Sequence, residues 1–186
     1  IKGTLILRKL IENHEYRRYF LNECADHFNT VLQPENVKSI IDSLAAIIQN
    51  DMHFEVNRWG GTIQEWENNV QFLKTFADYR LERLWQYILW ELDVTDKHLL
   101  TVNPPEGGYG KVRVNHLYID QFPWSGYYFT DIPIDLEAVP EKGYKVRGWN
   151  DTSLSSEKHV SLVMNDDYAV YPIFERVIDT AKIVIN

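Results

Sequence analysis

Cysteine is all but missing. Cys24 stands alone among 186 residues, so the chain closes no internal disulfide, and it holds no four cysteines or Cys/His pairs at zinc spacing. Disulfide-stapled scaffolds and zinc ribbons are therefore excluded. Long hydrophobic runs are missing too, because Arg8-Lys9 interrupts the one early candidate and nothing approaches the roughly 20 residues that span a bilayer. No membrane span is expected. Basic residues are in deficit, with 19 Lys and Arg against 27 Asp and Glu, and the formal charge of -8 opposes attraction to nucleic acid or anionic lipid. No nucleic-acid partner is expected either. The opening Ile1-Lys2-Gly3-Thr4 has no signal-peptide shape, and the segment reads as an excised piece of a longer protein.

What is present is enough to build a core: 45% of residues are hydrophobic and 13% aromatic. Their pattern divides the chain in two. From about Asn13 to Leu92 apolar residues recur at helical spacing, and glycine occurs there only as Gly60-Gly61. Three helices are expected. The first carries a buried stripe of Tyr16, Phe20, Cys24, Phe28 and Leu32 and ends before Pro34, which suits the first turn of the second. The second has the aliphatic stripe Val37, Ile40, Ile41, Leu44, Ile48 and Met52. Arg58-Trp59-Gly60-Gly61 then breaks the pattern, and Thr62 with Glu65 forms a capping box for a third helix. Trp66, Val70, Leu73, Phe76 or Ala77, Leu84, Ile88 and Leu92 keep one of its faces apolar for about 30 residues, roughly 45 Å.

After Asp96 the texture changes, with six of the seven prolines and six of the nine glycines punctuating short alternating runs. In Ile134-Asp135-Leu136-Glu137-Ala138 the apolar residues face inward and the acids face water. The fold class is thus α+β: a three-helix antiparallel unit followed by a small antiparallel β sandwich or half-barrel. The expected segments are a helical part over residues 1–95, an all-β module over 96–176, and a linker or the first strand of a following domain over 177–186.

Met52, Arg58-Trp59-Gly60, Trp66 and Phe76-Ala77-Asp78-Tyr79-Arg80 give residues about 5 to 92 a resemblance to the C-terminal part of the spore-coat-protein-H (CotH) family. Gly126-Tyr127-Tyr128, Leu136 to Pro140, Gly143-Tyr144, Gly148-Trp149 and Phe174-Glu175 make the second half similar to divergent bacterial B-repeat modules. Ala181 to Asn186 resembles the first strand of a lamin-tail-like module. The CotH resemblance implies an atypical protein kinase of secreted or coat proteins, using ATP and Mg²⁺. Its ATP and metal contacts belong to an upstream part, and no P-loop, VAIK-like strand, HRD or DFG equivalent occurs in these residues. The expected role is therefore the non-catalytic helical end of a CotH-like kinase domain plus an accessory β module, on a bacterial surface or secreted. Its first partner would be the upstream kinase-like core. The rival is an extracellular module that binds cell-surface glycans or proteins without phosphoryl transfer.

No residue is assigned a catalytic, metal-binding or cofactor-binding role. His14, His27, His53, His98, His116 and His159 are scattered, Asp26-His27 are adjacent on a helix and do not face one ligand, and Asp166-Asp167 reads as a hairpin turn. Cys24 reads as a buried thiol. Candidate partner-binding residues are Trp124, Tyr127, Arg58 and Trp59. The first two lie in a Pro/Gly-bounded loop. Arg58 and Trp59 either contact a partner or lock the turn, in which case Trp59 packs between the second and third helices, Gly60 or Gly61 takes a positive φ, and Thr62 caps the third. Excision should also leave an apolar patch exposed near the first helix or the Gly3-to-Leu10 lead-in.

Overall fold

A computed structural model describes residues 5–151, 154 and 156–177. Five α-helices precede nine strands: α1 (Leu5–Ile11), α2 (His14–Asn29), α3 (Pro34–Ile48), α4 (Met52–Trp59) and α5 (Ile63–Glu91), then β1 (Lys97–Val102), β2 (Gly110–Val114), β3 (Leu117–Ile119), β4 (Trp124–Phe129), β5 (Pro133–Pro140), β6 (Tyr144–Trp149), β7 (His159–Val163), β8 (Tyr168–Val170) and β9 (Pro172–Arg176). The α+β class is as expected. The chain forms two compact units, one holding residues up to Asp26 together with those from Thr95 onward, the other holding His27–Val94. The second boundary coincides with the change of texture near Asp96. The first falls inside α2, where nothing in the composition marks it.

In the helical unit, Pro34 opens α3 after an extended Gln33, whose side-chain amide donates to the Phe28 carbonyl at 2.6 Å. The expected second helix is two, since α3 stops at Ile48 and a short 3₁₀ turn over Gln49–Asp51 leads into α4. α3 and α5 run antiparallel, as the ion pairs Lys38–Asp78 and Lys74–Asp42 require. The seam uses half-buried Val37, Ile41 and Ala45 of α3, while Ile40, Leu44 and Ile48 of the expected stripe stay exposed. Phe28 meets Trp85 edge to face, with ring centroids 4.8 Å apart.

The turn into α5 agrees with expectation at its glycines and its cap. Gly60 and Gly61 have φ of +87° and +93°, Thr62 Oγ1 accepts from the Glu65 amide at 3.1 Å, and it donates to Glu65 Oε2 at 3.1 Å. Trp59 does not pack between helices. Its side chain is 71% exposed, with the Arg58 guanidinium stacked 5.1 Å from the ring centroid, because α4 ends at this residue before the glycines turn the chain.

Among the described residues the β unit contains three sheets, ordered β4-β1-β8, β3-β2-β5-β7 and β6-β9. All pairings are antiparallel except β1 with β8. Leu100, Val112, Tyr128, Ile134, Leu136, Met164 and Phe174 are among the residues these strands bury almost completely. In β5 the alternation is as expected, with Ile134, Leu136 and Ala138 buried. Asp166-Asp167 does not close a hairpin: β7 and β8 belong to different sheets, and Asp167 Oδ1 accepts the Leu99 amide at 2.8 Å. From Leu5 the lead-in forms α1, which buries nothing and exposes Leu5 and Ile6. The Ala181-to-Asn186 strand, and the segment over 177–186 apart from Val177, lie outside the described residues. Among the described residues no helix is long and apolar enough to cross a membrane.

The turn yields a paired prediction. Thr62→Ala should cost about 1 kcal/mol through loss of the cap, whereas Trp59→Ala, on the surface, should cost less than about 1 kcal/mol. Urea denaturation of the full chain measures both. A loss above about 3 kcal/mol for Trp59→Ala would mean that the ring is buried.

Candidate functional site

The polar site in the β unit begins with the start of α2. Asn13 caps that helix, its Oδ1 accepting the Tyr16 amide at 2.9 Å. The expected buried stripe of Tyr16, Phe20, Cys24, Phe28 and Leu32 is corrected here: the residues of α2 up to Asp26 that are buried are Leu21, Asn22, Ala25 and Asp26. Of that stripe Phe28 alone is buried, Tyr16, Phe20 and Cys24 are only half-buried, and Leu32 is exposed. Two polar residues thus occupy the inward face, and both are held by hydrogen bonds to strands. Asn22 Nδ2 donates to the Pro133 carbonyl at 2.9 Å; Arg18 Nε donates to the same oxygen at 3.0 Å and Arg18 Nη2 to Asp135 Oδ2 at 2.6 Å.

Asp26 is the deepest charge of the site, at 3% exposed. Its Oδ1 accepts from the Tyr128 hydroxyl at 2.9 Å and from Asn115 Nδ2 at 3.2 Å, and its Oδ2 accepts from the His116 amide at 3.4 Å. Burial pushes the carboxyl above its ordinary value; the bonds from Asn115, Tyr128 and His116 pull it back, and Glu23 adds a further upward push. Asn115 and His116 form the turn between β2 and β3, where Asn115 has φ of +47°, a left-handed conformation that asparagine tolerates. Asn115 Oδ1 also accepts the Asp135 amide at 2.9 Å, which ties the turn to β5. His116 Nδ1 lies 2.7 Å from Glu23 Oε1.

Beside this cluster opens a groove of about 330 Å³ lined by Glu15, Arg18, Tyr19, Asn22, Arg113, Asn115, His116 and Asp135. Its cations are already matched, Arg18 by Asp135 and Arg113 by Glu137. Glu137 is held below the usual carboxylate range first by a hydrogen bond from Lys158, with Arg113, Lys158 and His159 adding favourable charge. The arrangement favours anchoring of α2 to β5 and the β2–β3 turn over capture of an anion. Cys24 is pushed up to about 11 by burial and then by Glu23, which leaves its thiol protonated and a poor nucleophile at neutral pH.

The four residues expected to bind a partner are divided between the two units. Arg58 and Trp59 lie in the helical unit, Trp124 and Tyr127 in the other. Trp124 and Tyr127 belong to strand β4 rather than to a loop, and residues three apart on a strand point to opposite faces, so the two rings make no shared platform. Tyr127 is partly exposed and carries Lys97 Nζ 5.2 Å from its ring centroid. Among the described residues no three His, Cys, Asp or Glu side chains converge as metal ligands. Asp26 was present in the sequence beside His27, but its partners Asn115, His116 and Tyr128 are about 90 to 100 residues away, and no local pattern links them.

Comparison with known families matches residues 2–84 to the family described as CotH kinase protein, so this stretch is similar to that family. No curated protein and no solved structure matches the chain.

The buried carboxylate predicts a pH-dependent loss. A carboxyl whose folded value is raised contributes stability that declines as pH climbs from the unfolded value, near 3.9, through the folded one. Tyr128→Phe removes the shortest donor and should destabilise the chain by about 1–3 kcal/mol at pH 7, with a smaller penalty at pH 4, where Asp26 is protonated more readily. Urea melts at the two pH values test this; a penalty that is equal or larger at pH 4 would contradict an ionised Asp26 acceptor at neutral pH.

Proposed function

We propose that this chain supplies the helical, non-catalytic end of a CotH-like kinase domain together with an accessory β module of B-repeat-like type, in a secreted or bacterial cell-surface protein. One observation carries the reading. The family match over residues 2–84 takes in all of α1 to α4 and most of α5 and stops before the strands begin. The expected partner of that helical part is the kinase-like core of the same family domain.

The described residues do not fit ATP and Mg²⁺. The glycine-rich stretch Gly107-Gly108-Tyr109-Gly110 is the nearest thing to a phosphate loop, but its glycines serve internal packing. A Cβ at Gly107 would meet the Phe174 carbonyl oxygen at 2.3 Å, one at Gly108 would meet the Tyr144 ring at 2.4 Å, and one at Gly110 the Val139 carbonyl oxygen at 2.5 Å. That backbone faces side chains and carbonyls, not an open cradle of amides. The arginines of the groove are paired with carboxylates, as described above.

Titration calorimetry of the full chain with ATP and MgCl₂ should therefore give no binding at micromolar concentrations. Micromolar affinity would place nucleotide contacts within these residues and overturn the non-catalytic assignment. Saturable, nucleotide-independent binding on a glycan array would instead favour the rival reading of a surface-binding module.

A further inference from the structure

The long helix α5 is apolar on two sides, and only one of them is covered by α3. At 3.6 residues per turn, Trp66, Val70 and Ala77 fall on the side that meets α3 with Lys74 and Asp78. Phe72, Phe76, Tyr79, Tyr87 and Trp90 fall at i, i+4, i+7, i+15 and i+18, within an arc of roughly 80° on the opposite side. These five rings are between 51% and 77% exposed. Taking ~200 Å² per ring, they present roughly 600 Å² along about 27 Å of helix, more than scattered surface residues account for and most of the ~800 Å² that one partner of a stable interface covers.

The charge on this face identifies the occupant. Between Phe72 and Trp90 the charged side chains on the stripe's side are Arg80 and Arg83, since Lys74, Asp78 and Glu82 fall on other sides of the helix. Neither arginine has a carboxylate partner among the described residues: Arg80 lies over the Phe76 ring at 5.8 Å, and Arg83 donates to Gln86 Oε1 at 3.2 Å. With Gln86, Tyr87 and Trp90 they line a groove of about 510 Å³. A pair of unmatched cations framed by exposed rings, on a chain of net charge -8, calls for carboxylates beside apolar side chains. We infer that this face of α5 docks an acidic, amphipathic polypeptide segment, whose apolar side chains cover the ring stripe while its carboxylates pair with Arg80 and Arg83.

A second copy of the chain fits less well. The midpoint of the stripe is near Leu81, so two α5 helices packed antiparallel about it would bring the Arg80 and Arg83 pairs of both copies within about 3 Å of each other along the axis, and parallel packing in register would set each arginine against its own counterpart. The inference rests on this helix face alone and not on the kinase-family reading.

The test is a selection of a displayed random 16-residue peptide library against the full chain, followed by fluorescence anisotropy with the enriched peptides made synthetically and labelled. Enriched peptides should be acidic, with apolar residues three or four apart. Their affinity should fall at least tenfold on Trp90→Ala and on the double substitution R80E/R83E. Peptides with Lys in place of their acidic residues should regain binding to R80E/R83E, which a merely misfolded variant would not allow. No enrichment, enrichment of neutral or basic peptides, or binding indifferent to all three substitutions would overturn the inference. So would sedimentation showing a dimer that Trp90→Ala dissociates, which would make a second copy the occupant.

Discussion

Asp26 is a carboxylate placed where a helix would ordinarily bury an aliphatic side chain, and the organisation of the β unit depends on how it is satisfied. A lone ionised group at that depth would cost several kcal/mol. Tyr128 from β4, with Asn115 and His116 from the β2–β3 turn, offsets that cost with three hydrogen bonds. The same constraint fixes local geometry beyond the carboxylate. It selects the left-handed conformation of Asn115, whose side chain then reaches Asp135, and it orients α2 so that Asn22 and Arg18 both reach the Pro133 carbonyl. A helix that would otherwise be read as part of the helical segment is thereby bound into the unit of the strands up to Asp26.

The helical unit rests on different physics. α5 runs for 29 residues, yet Ala77 and Trp85 are its buried residues, and α3 has none. Capping, the ion pairs across the α3–α5 seam and the Phe28–Trp85 contact hold it, while Ile40, Leu44 and Ile47 of α3 and the ring stripe of α5 face outward. A helix apolar on more than one side is characteristic of one enclosed by further structure. The exposed aliphatic residues of α3 agree with a segment whose proposed place is against a larger domain, while the ring stripe of α5 is the face assigned above to an acidic segment.

Much of this was legible from residue order, for reasons that can be named. The capping box at Thr62 and the alternation of β5 are short-range patterns in which neighbours in sequence decide the geometry, and both appear where expected. Long-range polar pairing was not legible. The spacing of Tyr16, Phe20, Cys24 and Phe28 suggested an apolar seam, but hydrogen bonds with residues about 90 to 110 positions away turned Asn22 and Asp26 inward instead. Trp59 misled for a related reason: a large ring next to two glycines suggests a buried lock, whereas the helix ends there and the ring is stacked under its neighbour Arg58 in solvent. On α3 and α5 the apolar arc was visible but taken as one face, because periodicity alone does not separate the side that packs from the side that waits for a partner.

The central claim, that the Asp26 network makes the first turns of α2 part of the β unit, is tested most directly by hydrogen exchange of the full chain under native conditions. Amides of Leu21 to Asp26 should show protection matching that of β5 and should open together with it as denaturant is added. If they exchange instead with α3 and the middle of α5, at rates distinct from β5, the buried carboxylate does not organise this unit and the account is wrong.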